Sequence, residues 1–427
     1  MSDRRGPVPK ATSVRDVTLI ALGRFHHFHL ARQLEQRGRL KAVWTGYPRY
    51  KLRDEHGVPA ERIHTFTWFY VPAQLLGRVP VLGRSQALAR EMQWRAVEAI
   101  DLRVALTIDT ATTLVGLSSG GLRSGRRAQA AGGRYVCDRG STHIRFQDAI
   151  LKEEYRRWKL EFYGVDRRVM AKEEAEYEAA DQITVPSGFC RESFLAQGVP
   201  ASKMNVIPYG GRLDRFRRVA EPEPDAFTIV FVGAVSVRKG VPYLLQAFAR
   251  LRHPRKRLKI IGHILPDFEG LLRQLPTDGV EFLGGVANTE LSTHYSTADV
   301  MVLPSLEEGL ALVMAEAMAC GCPVIASENT GAGDLFTDRV EGRILPVRST
   351  DALVEALEAL IQDRPSAREL GRSAQQRIRS LGGYDRFGDD WAALLARMET
   401  APSRHDRSTQ GSGPKATPDA PHTGGPR

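Results

Sequence analysis

The chain has 427 residues, of which 42% are hydrophobic and 26% are charged, and its formal net charge is +10. This length exceeds one typical hydrophobic core and predicts two domains of roughly 150 to 200 residues each. Residues 1–15 contain four basic and one acidic side chain, and residues 401–427 contain four and two, so half of the excess charge lies in the two ends. The remaining charge of about +5 is too small to indicate nucleic-acid binding, although it suits an anionic ligand or a lipid surface.

Two features of the sequence predict a cytoplasmic location. No uninterrupted apolar run reaches the roughly 18 residues of a membrane span, and the start of the chain lacks the apolar centre of a signal peptide. Residues 67–83, TWFYVPAQLLGRVPVLG, are strongly apolar but are broken by two prolines, which favours a packed loop and helix. Peripheral contact of this stretch with the inner face of the membrane is the alternative.

The cysteines and the clustered histidines are candidate metal ligands. The four cysteines are Cys137, Cys190, Cys320 and Cys322. They show no paired metal spacing and predict reduced, packed thiols. His26, His27 and His29 have no carboxylate or cysteine of matching spacing nearby in the sequence, so they are expected to line a cleft at the start of a helix. The sequence therefore predicts no metal site.

The first domain is predicted to span residues 15–210, after a disordered arm over residues 1–14. Residues 17–22 form an apolar strand and are followed by Gly23 and a helix-like stretch, which is the start of a doubly wound domain. Residues 102–109 indicate a further strand, and the Gly- and Ser-rich residues 116–133 indicate a mobile connection.

The second half of that domain contains one candidate site segment. Residues 135–137 are strand-like and lead into the sequence DRGSTHIR, which contains His143. The charged residues 150–180 predict helix with a solvated face. Residues 203–211, KMNVIPYGG, combine a strand with a Pro/Gly turn, a composition typical of a hinge between domains.

The second domain is predicted over residues 211–383, followed by a helix over residues 384–400 and a disordered tail. It opens with a β-rich run and the sequence VGAVSVRKG. Lys239 at a helix start can neutralise a diphosphate, because an ammonium group is a compact charge beside free helix N–H groups. The alternative interpretation is a basic helix end on the surface.

Residues 301–327, MVLPSLEEGLALVMAEAMACGCPVIAS, predict a strand–loop–helix–strand unit of a parallel sheet. Pro304 ends the first strand, Gly309 permits close backbone approach to a ligand, and apolar residues recur at helical spacing from Leu310 onwards. Glu308 in the loop and Glu316, about two turns up the helix, can contact different parts of one long ligand. A lone glutamate here would instead be a solvated charge at a helix start.

The sequence EGLALVMAEAMACGCPVIAS resembles the donor-site signature of the retaining glycosyltransferases of family 4, which have the GT-B fold. The resemblance extends over roughly residues 17–396 and implies α/β architecture, with two doubly wound Rossmann-like domains facing a central cleft. It implies that Glu308 lies beside the transferred sugar and that Glu316 binds the ribose of the nucleotide. It further implies that Lys239 contacts the donor diphosphate and that His143 hydrogen-bonds to the donor sugar.

The donor-binding residues expected from the motifs and the resemblance together are Gly23, Arg238, Lys239, Glu308, Gly309, Leu310 and Glu316. Glu308, His143 and Lys239 are the expected catalytic residues. Residues 329–336, NTGAGDLF, lack the third glycine of a dinucleotide fingerprint, and no GxxxxGK loop occurs, which disfavours a nicotinamide enzyme and an NTPase.

The expected activity is transfer of a sugar from a UDP-, GDP- or ADP-linked donor to a glycan, lipid-linked or small-molecule acceptor. By resemblance the reaction retains the anomeric configuration and uses neither a metal nor a further cofactor. An inverting transferase and a sugar phosphorylase share this architecture and remain alternatives. A non-catalytic subunit that binds a nucleotide sugar is the alternative from another class.

Overall fold

The computed structural model describes residues 16–23, 26–72, 86–211 and 213–400. Two parallel β-sheets, each flanked by helices, account for most of this part of the chain. The predicted arm and tail, and residues 73–83 of the apolar stretch, lie outside the described residues.

The strands are β1 (Val17–Ala21), β2 (Leu40–Thr45), β3 (Ile63–Thr65), β4 (Thr113–Leu117), β5 (Arg134–Asp138), β6 (Gln182–Val185), β7 (Met204–Val206), β8 (Phe227–Val232), β9 (Lys256–Ile261), β10 (Val280–Gly284), β11 (Val300–Leu303), β12 (Val324–Ser327) and β13 (Arg343–Leu345). The described α-helices are α1 (His26–Gln36), α2 (Gln86–Ala105), α3 (Leu122–Ala130), α4 (Ile144–Arg157), α5 (Arg167–Ala179), α6 (Gly188–Leu195), α7 (Val241–Arg250), α8 (Glu269–Leu272), α9 (Leu291–Ser296), α10 (Leu312–Ala319), α11 (Ala332–Leu335), α12 (Thr350–Gln362), α13 (Arg364–Ser380) and α14 (Gly383–Thr400).

The first sheet has the strand order β3-β2-β1-β4-β5-β6-β7, and every adjacent pair is parallel. The order reverses between β1 and β4, which is the arrangement of a doubly wound sheet with helices on both faces. Ligands bind such sheets at the carboxyl ends of the strands near this reversal. The loops after β1 and β5 therefore lie at the edge where a site is expected.

The second sheet has the order β10-β9-β8-β11-β12-β13 and is also parallel throughout. Its order reverses between β8 and β11, so the loops after these two strands lie side by side. β11 and β12 pair in the register Met301 with Val324 and are joined through α10. The predicted unit over residues 301–327 and the two doubly wound domains are thus confirmed.

The last described helix, α14, packs on the first domain although it follows the second in sequence. Its buried face contributes Phe387, Trp391 and Leu394 to the same hydrophobic cluster as Phe28 of α1. The helix therefore ties the two domains together through apolar contacts, whose burial stabilises by about 25 cal/mol per Å². Among the described residues, no helix is long and apolar enough to cross a bilayer.

Two predictions about local structure are wrong, and a third is correct only in part. Residues 102–109 include the end of α2, and the adjacent strand is β4. Residues 116–133 form the end of β4, a loop and α3, because Glu176 accepts hydrogen bonds from the loop N–H groups of Ser119 and Gly121. The charged residues 150–180 are helical as predicted, in two helices, but their charged side chains are not all solvated, because several carboxylates are buried, among them Glu154 and Glu176.

Glu154 shows why that helix is not simply solvated. It is fully buried and accepts hydrogen bonds from Trp158 at 2.8 Å, from Tyr243 at 2.5 Å and from Arg348 at 2.6 Å. Tyr243 and Arg348 belong to the second domain, so this carboxylate joins the two domains. All four cysteines are buried and unpaired, as the sequence predicted.

Candidate active site in the interdomain cleft

The loops after β8 and β11 pack directly on one another. Gly240 has a φ of 68°, and a Cβ atom there would lie 1.9 Å from the carbonyl oxygen of Pro304, so only glycine fits this approach. The N–H of Leu306 donates to the carbonyl of Arg238 at 2.8 Å. The basic residues of the first loop are therefore held against the acidic residues of the second.

Lys239 and Glu308 form an ion pair at this junction. The Nζ of Lys239 lies 2.5 Å from the Oε1 of Glu308, and the two side chains are 19% and 12% exposed. Both residues were predicted as site residues from separate motifs, and the fold brings them together. Both side chains are therefore largely, but not completely, buried where the two loops meet.

Glu307, the neighbour of Glu308, is a residue that the sequence analysis did not select. Its side chain is fully buried, and Arg238 lies 2.8 Å from its Oε2. Its remaining partners come from the first domain: Ser141, Thr142 (2.8 Å from the hydroxyl) and Gln147 (2.9 Å). The only signal in the sequence was the Glu-Glu pair, which does not reveal which carboxylate faces inward.

The pKa of Glu307 reflects the balance between its burial and its partners. Burial alone would raise the pKa, but the charge of Arg238 and the hydrogen bonds from Ser141, Gln147 and Thr142 outweigh it and lower the pKa to about 2. Glu307 is therefore ionised at neutral pH. Arg238, predicted as a donor-binding residue, is engaged by Glu307 and is placed beside Lys239 in the same loop.

Gly309 lies in close contact with the first domain. A Cβ atom at this position would lie 2.1 Å from the carbonyl oxygen of Gly140 in the first domain. The carbonyl of Gly309 accepts a hydrogen bond from the hydroxyl of Ser187 at 2.6 Å. Leu310 is buried in the core of the second domain and supports this loop.

Helix α10 begins at Leu312, two residues after the predicted start, and positions Glu316 toward the cleft. The hydroxyl of Tyr295 donates to the Oε2 of Glu316 at 3.1 Å. Partial burial raises the pKa of Glu316, and the hydrogen bond from Tyr295 opposes this effect. Glu316 keeps capacity to accept further hydrogen bonds, because a carboxylate has about four acceptor positions.

A cavity of about 820 Å³ lies between the domains next to Glu316. Its walls include His29 and Tyr384 on the side of the first domain and Phe216 and Asn288 on the side of the second. This volume falls within the usual range of small-molecule sites, about 300 to 1,000 Å³. The prediction that the histidines at the start of α1 line the cleft is confirmed for His29 and is wrong for His27, which is fully buried.

The remaining predicted residues lie outside this junction. His143 is 4% exposed, is the N-cap of α4, and packs against Tyr177 and Phe194. Burial is the largest effect on its pKa and lowers it to about 4. The structure does not bring His143 to the cleft surface beside Glu308. Gly23 follows β1 at the carboxyl edge of the first sheet, where a donor phosphate was expected.

A cluster of His26, His27 and Asp138 lies on the first-domain side of the cleft. The Nε2 of His26 is 2.6 Å from the Oδ2 of Asp138, and the Nε2 of His27 is 3.4 Å from the same atom. The expectation that no carboxylate joins these histidines is wrong, because β1 and β5 end at the same edge of the sheet. Their ligand atoms lie within 4.8 Å of one another.

The sequence of the second domain matches a known family. Residues 214–377 match the model of the glycosyl transferases group 1. The chain is 29% identical over 251 residues to a GDP-mannose-dependent alpha-(1-6)-phosphatidylinositol monomannoside mannosyltransferase of Mycobacterium tuberculosis, covering 52% of this chain and 64% of that protein. It is 30% identical over 268 residues to a D-inositol 3-phosphate glycosyltransferase of Geodermatophilus obscurus, covering 57% and 58%. The chain thus spans somewhat less than two thirds of these relatives.

Solved structures resemble almost the whole chain. Sucrose-phosphate synthase from Thermosynechococcus elongatus superposes with a TM-score of 0.67 at 22% identity, covering 91% of this chain and all of that one. Anabaena HepE in complex with UDP and glucose superposes with a TM-score of 0.63 at 16% identity, covering 90% and 100%. The chain therefore has the GT-B fold, and its second domain is similar to the group 1 glycosyl transferases.

Proposed function

We propose that this chain is a glycosyltransferase that moves a sugar from a nucleotide-diphosphate sugar to an acceptor hydroxyl with retention of the anomeric configuration. The observation that supports this proposal most directly is the ion pair of Lys239 and Glu308, which lies where the loops after β8 and β11 meet. A diphosphate leaving group develops negative charge, and a preorganised ammonium group stabilises it in a cleft that excludes water. The proposed reaction needs no metal ion, because Lys239 supplies this charge.

The donor is proposed to lie along the second domain, with its sugar near Glu308 and its ribose at Glu316. These two carboxylates stand eight residues apart on one loop and helix, and Glu316 lines the cavity. The relatives named above include a GDP-mannose-dependent enzyme, and one similar structure holds UDP and glucose. A UDP-, GDP- or ADP-linked sugar is the proposed donor class.

The acceptor is proposed to approach from the first domain and to be a glycan, a lipid-linked sugar or a small polyol. Trp68 is 78% exposed and follows the edge strand β3, so it is placed to contact a membrane interface if the acceptor is a lipid. We place the reaction in the cytoplasm, with peripheral contact to the inner face of the membrane. Flotation with anionic vesicles, comparing Trp68→Ala with the unchanged chain, tests that contact.

The first experiment is a screen for nucleotides that raise the thermal midpoint of the protein, since a ligand that binds only the folded state stabilises it by mass action. UDP, GDP and ADP are tested in this screen. Release of the nucleotide from the matching sugar donor is then measured, with octyl glucoside or myo-inositol as the acceptor. A non-catalytic subunit would bind nucleotide without releasing it from any donor. An inverting enzyme or a phosphorylase would differ in product stereochemistry or in a need for free phosphate.

Replacement of Glu316 by alanine is expected to weaken nucleotide binding by about 1.5–3 kcal/mol, the usual contribution of a hydrogen bond to a charged group. Isothermal titration with the nucleotide selected in the screen measures this difference. Glu355→Ala, on the exposed face of α12, is the matched control and should bind as the unchanged chain does. If Glu316→Ala binds the nucleotide as tightly as the unchanged chain does, the proposed contact of Glu316 with the ribose is wrong.

Replacement of Lys239 by alanine is expected to lower turnover by roughly 10- to 1,000-fold, because the diphosphate loses its preorganised countercharge. Steady-state release of the nucleotide measures the effect, and circular dichroism checks that the fold is intact. Lys41→Ala is the control, since Lys41 is exposed at the far end of β2 from the cleft. Turnover within twofold of the unchanged chain would contradict the role of Lys239.

A further inference from the structure

Both domains hold the loop after β11, which carries Glu308. Within the second domain, the N–H of Glu308 donates to the carbonyl of Asn329 at 2.9 Å. From the first domain, the hydroxyl of Ser187 donates to the carbonyl of Gly309 at 2.6 Å, and further groups bind the side chain of Glu307. The position of Glu308 is therefore set in part by a domain to which it does not belong.

The carboxylate of Glu307 joins three segments of the chain. Its Oε1 accepts a hydrogen bond from the hydroxyl of Thr142 at 2.8 Å. Its Oε2 lies 2.9 Å from the Nε2 of Gln147 and 2.8 Å from the Nη2 of Arg238. Since Arg238 directly precedes Lys239, one buried carboxylate links the segments that follow β5, β8 and β11.

The first-domain end of this link is itself held by a buried ion pair. The Oε1 of Gln147 accepts a hydrogen bond from the Nη2 of Arg139 at 3.0 Å. Arg139 is buried and lies 3.0 Å from a carboxylate oxygen of Glu173. Only one orientation of the Gln147 amide satisfies both neighbours, because Glu307 requires a donor and Arg139 requires an acceptor. The first domain thus presents a fixed set of donors to Glu307.

We propose that Glu307 is a positioning residue that fixes the Lys239–Glu308 pair relative to the first domain. This inference rests on the proposed glycosyl transfer. Glu307 acts through its neighbours and not by touching the donor, since Arg238 adjoins Lys239 in one loop and Glu307 adjoins Glu308 in the other. A displacement of reacting groups by about 1 Å can lower a rate about 100-fold. The reacting arrangement therefore depends on the seating of this loop on the first domain.

The first test is Gln147→Ala, which alters the first domain and leaves the side chains of Lys239 and Glu308 unchanged. With the donor selected in the nucleotide screen, kcat is expected to fall about 10- to 100-fold, whereas the affinity for the nucleotide stays within twofold. Nucleotide release measures kcat, with octyl glucoside or myo-inositol as the acceptor, and isothermal titration measures the affinity. The control is Tyr243→Phe, which removes a different hydrogen bond between the domains, the one to Glu154, and should keep kcat within twofold.

Two outcomes of this comparison would overturn the inference. One is a kcat of Gln147→Ala within twofold of that of the unchanged chain. The other is an equal fall of kcat in Tyr243→Phe, which would show that any loss of contact between the domains slows the reaction.

A second test asks whether Gln147 acts through Glu307. In a chain that already contains Glu307→Gln, the further change Gln147→Ala should alter kcat less than twofold, because the link is already broken. The full effect of Gln147→Ala in that background would contradict the inference. If Glu307→Gln folds poorly, Thr142→Val replaces it, since this change removes one hydrogen bond to Glu307 at nearly constant volume. Thr142→Val should lower kcat about 10-fold at constant nucleotide affinity, and an unchanged kcat would again count against the role of Glu307.

Hydrogen exchange of residues 305–311 gives a measurement that does not require turnover. In this loop the N–H of Leu306 donates to the carbonyl of Arg238 at 2.8 Å. These amides should exchange faster in Gln147→Ala than in the unchanged chain or in Tyr243→Phe, because the loop loses its seat on the first domain. Equal exchange in all three proteins would overturn the inference. The expected exchange difference without nucleotide release by the unchanged chain would instead count against the proposed transferase activity.

Discussion

Replacement of Glu307 by alanine is expected to lower the free energy of unfolding by about 2–4 kcal/mol. The reason is that several buried groups would lose their hydrogen-bond or ion-pair partner at the same time. Thr142 and Gln147 of the first domain would be left without their acceptor, and Arg238 of the second without its counter-ion. The side chain of Arg238 is 36% exposed, so solvent screens part of the loss, and the lower half of this range is favoured.

This effect should depend on pH in a defined direction. The folded state lowers the pKa of Glu307 from 4.5 to about 2, so its ionisation stabilises the fold fully above pH 4.5. That contribution is lost as the pH falls through the folded-state value. The difference between the unchanged chain and Glu307→Ala should therefore be largest at pH 7 and shrink between pH 4.5 and about 2.

Urea denaturation followed by tryptophan fluorescence at several pH values measures this difference. Glu355→Ala removes an exposed carboxylate from a helix and should change stability little at any of them. A constant difference across the acid range would mean that packing, and not the charge of Glu307, is responsible. No difference at pH 7 would show that the contact between the loops does not hold the domains together.

The sequence predicted the parts of the fold that rest on local patterns. The strand that stops before Pro304 and the helix that ends before Gly321 follow from side-chain periodicity and backbone chemistry, and the structure contains both. The close approach expected at Gly309 is present, but its observed partner is the carbonyl of Gly140 in the first domain. The end of α2 was mistaken for a strand because a short apolar run fits either element, and its burial against α3 is a tertiary property.

The candidate site was predictable where a motif and the sheet edge coincide, as for Lys239 and Glu308. The site was not predictable where two segments that are distant in the sequence together form the surroundings of a side chain. Glu307 is buried only because residues 141–147 of the first domain lie over it, and no pattern in residues 301–327 contains that information. The pairing of His26 with Asp138 likewise depends on the order of β1, β4 and β5.

For His143, the motif indicated the correct segment but not which of its residues lie at the junction of the two domains. The motif directed attention to His143 in the segment DRGSTHIR, whereas the residues of this segment that contact the second domain are Gly140, Ser141 and Thr142. A loop between a strand and a helix turns its side chains to several directions, and a single sequence does not give the direction of each. The contact of His143 with a donor sugar stays a prediction.

Replacement of Glu308 by glutamine is expected to lower turnover about 100- to 1,000-fold and to leave donor affinity nearly unchanged, as for an interaction made mainly in the transition state. Glutamine keeps the shape of the side chain but removes the charge that pairs with Lys239. A glutamate next to a diphosphate is poorly placed for a double displacement, so we expect Glu308 to position the sugar and balance charge. If the acceptor attacks the sugar on the face from which the diphosphate departs, the product retains the anomeric configuration of the donor.

Two measurements test this mechanism. Glu369→Gln, on the exposed surface of α13, is the control variant, because it also removes the charge of one carboxylate. NMR of the anomeric centre of the product reports its configuration, and the intact mass of the enzyme mixed with donor alone reports any covalent adduct. A retained product with no added mass is the expected result, together with a lowered kcat and a constant KM for the donor in Glu308→Gln. An inverted product would end the proposed retaining mechanism, whereas a sugar trapped on Glu308 would make this residue the nucleophile.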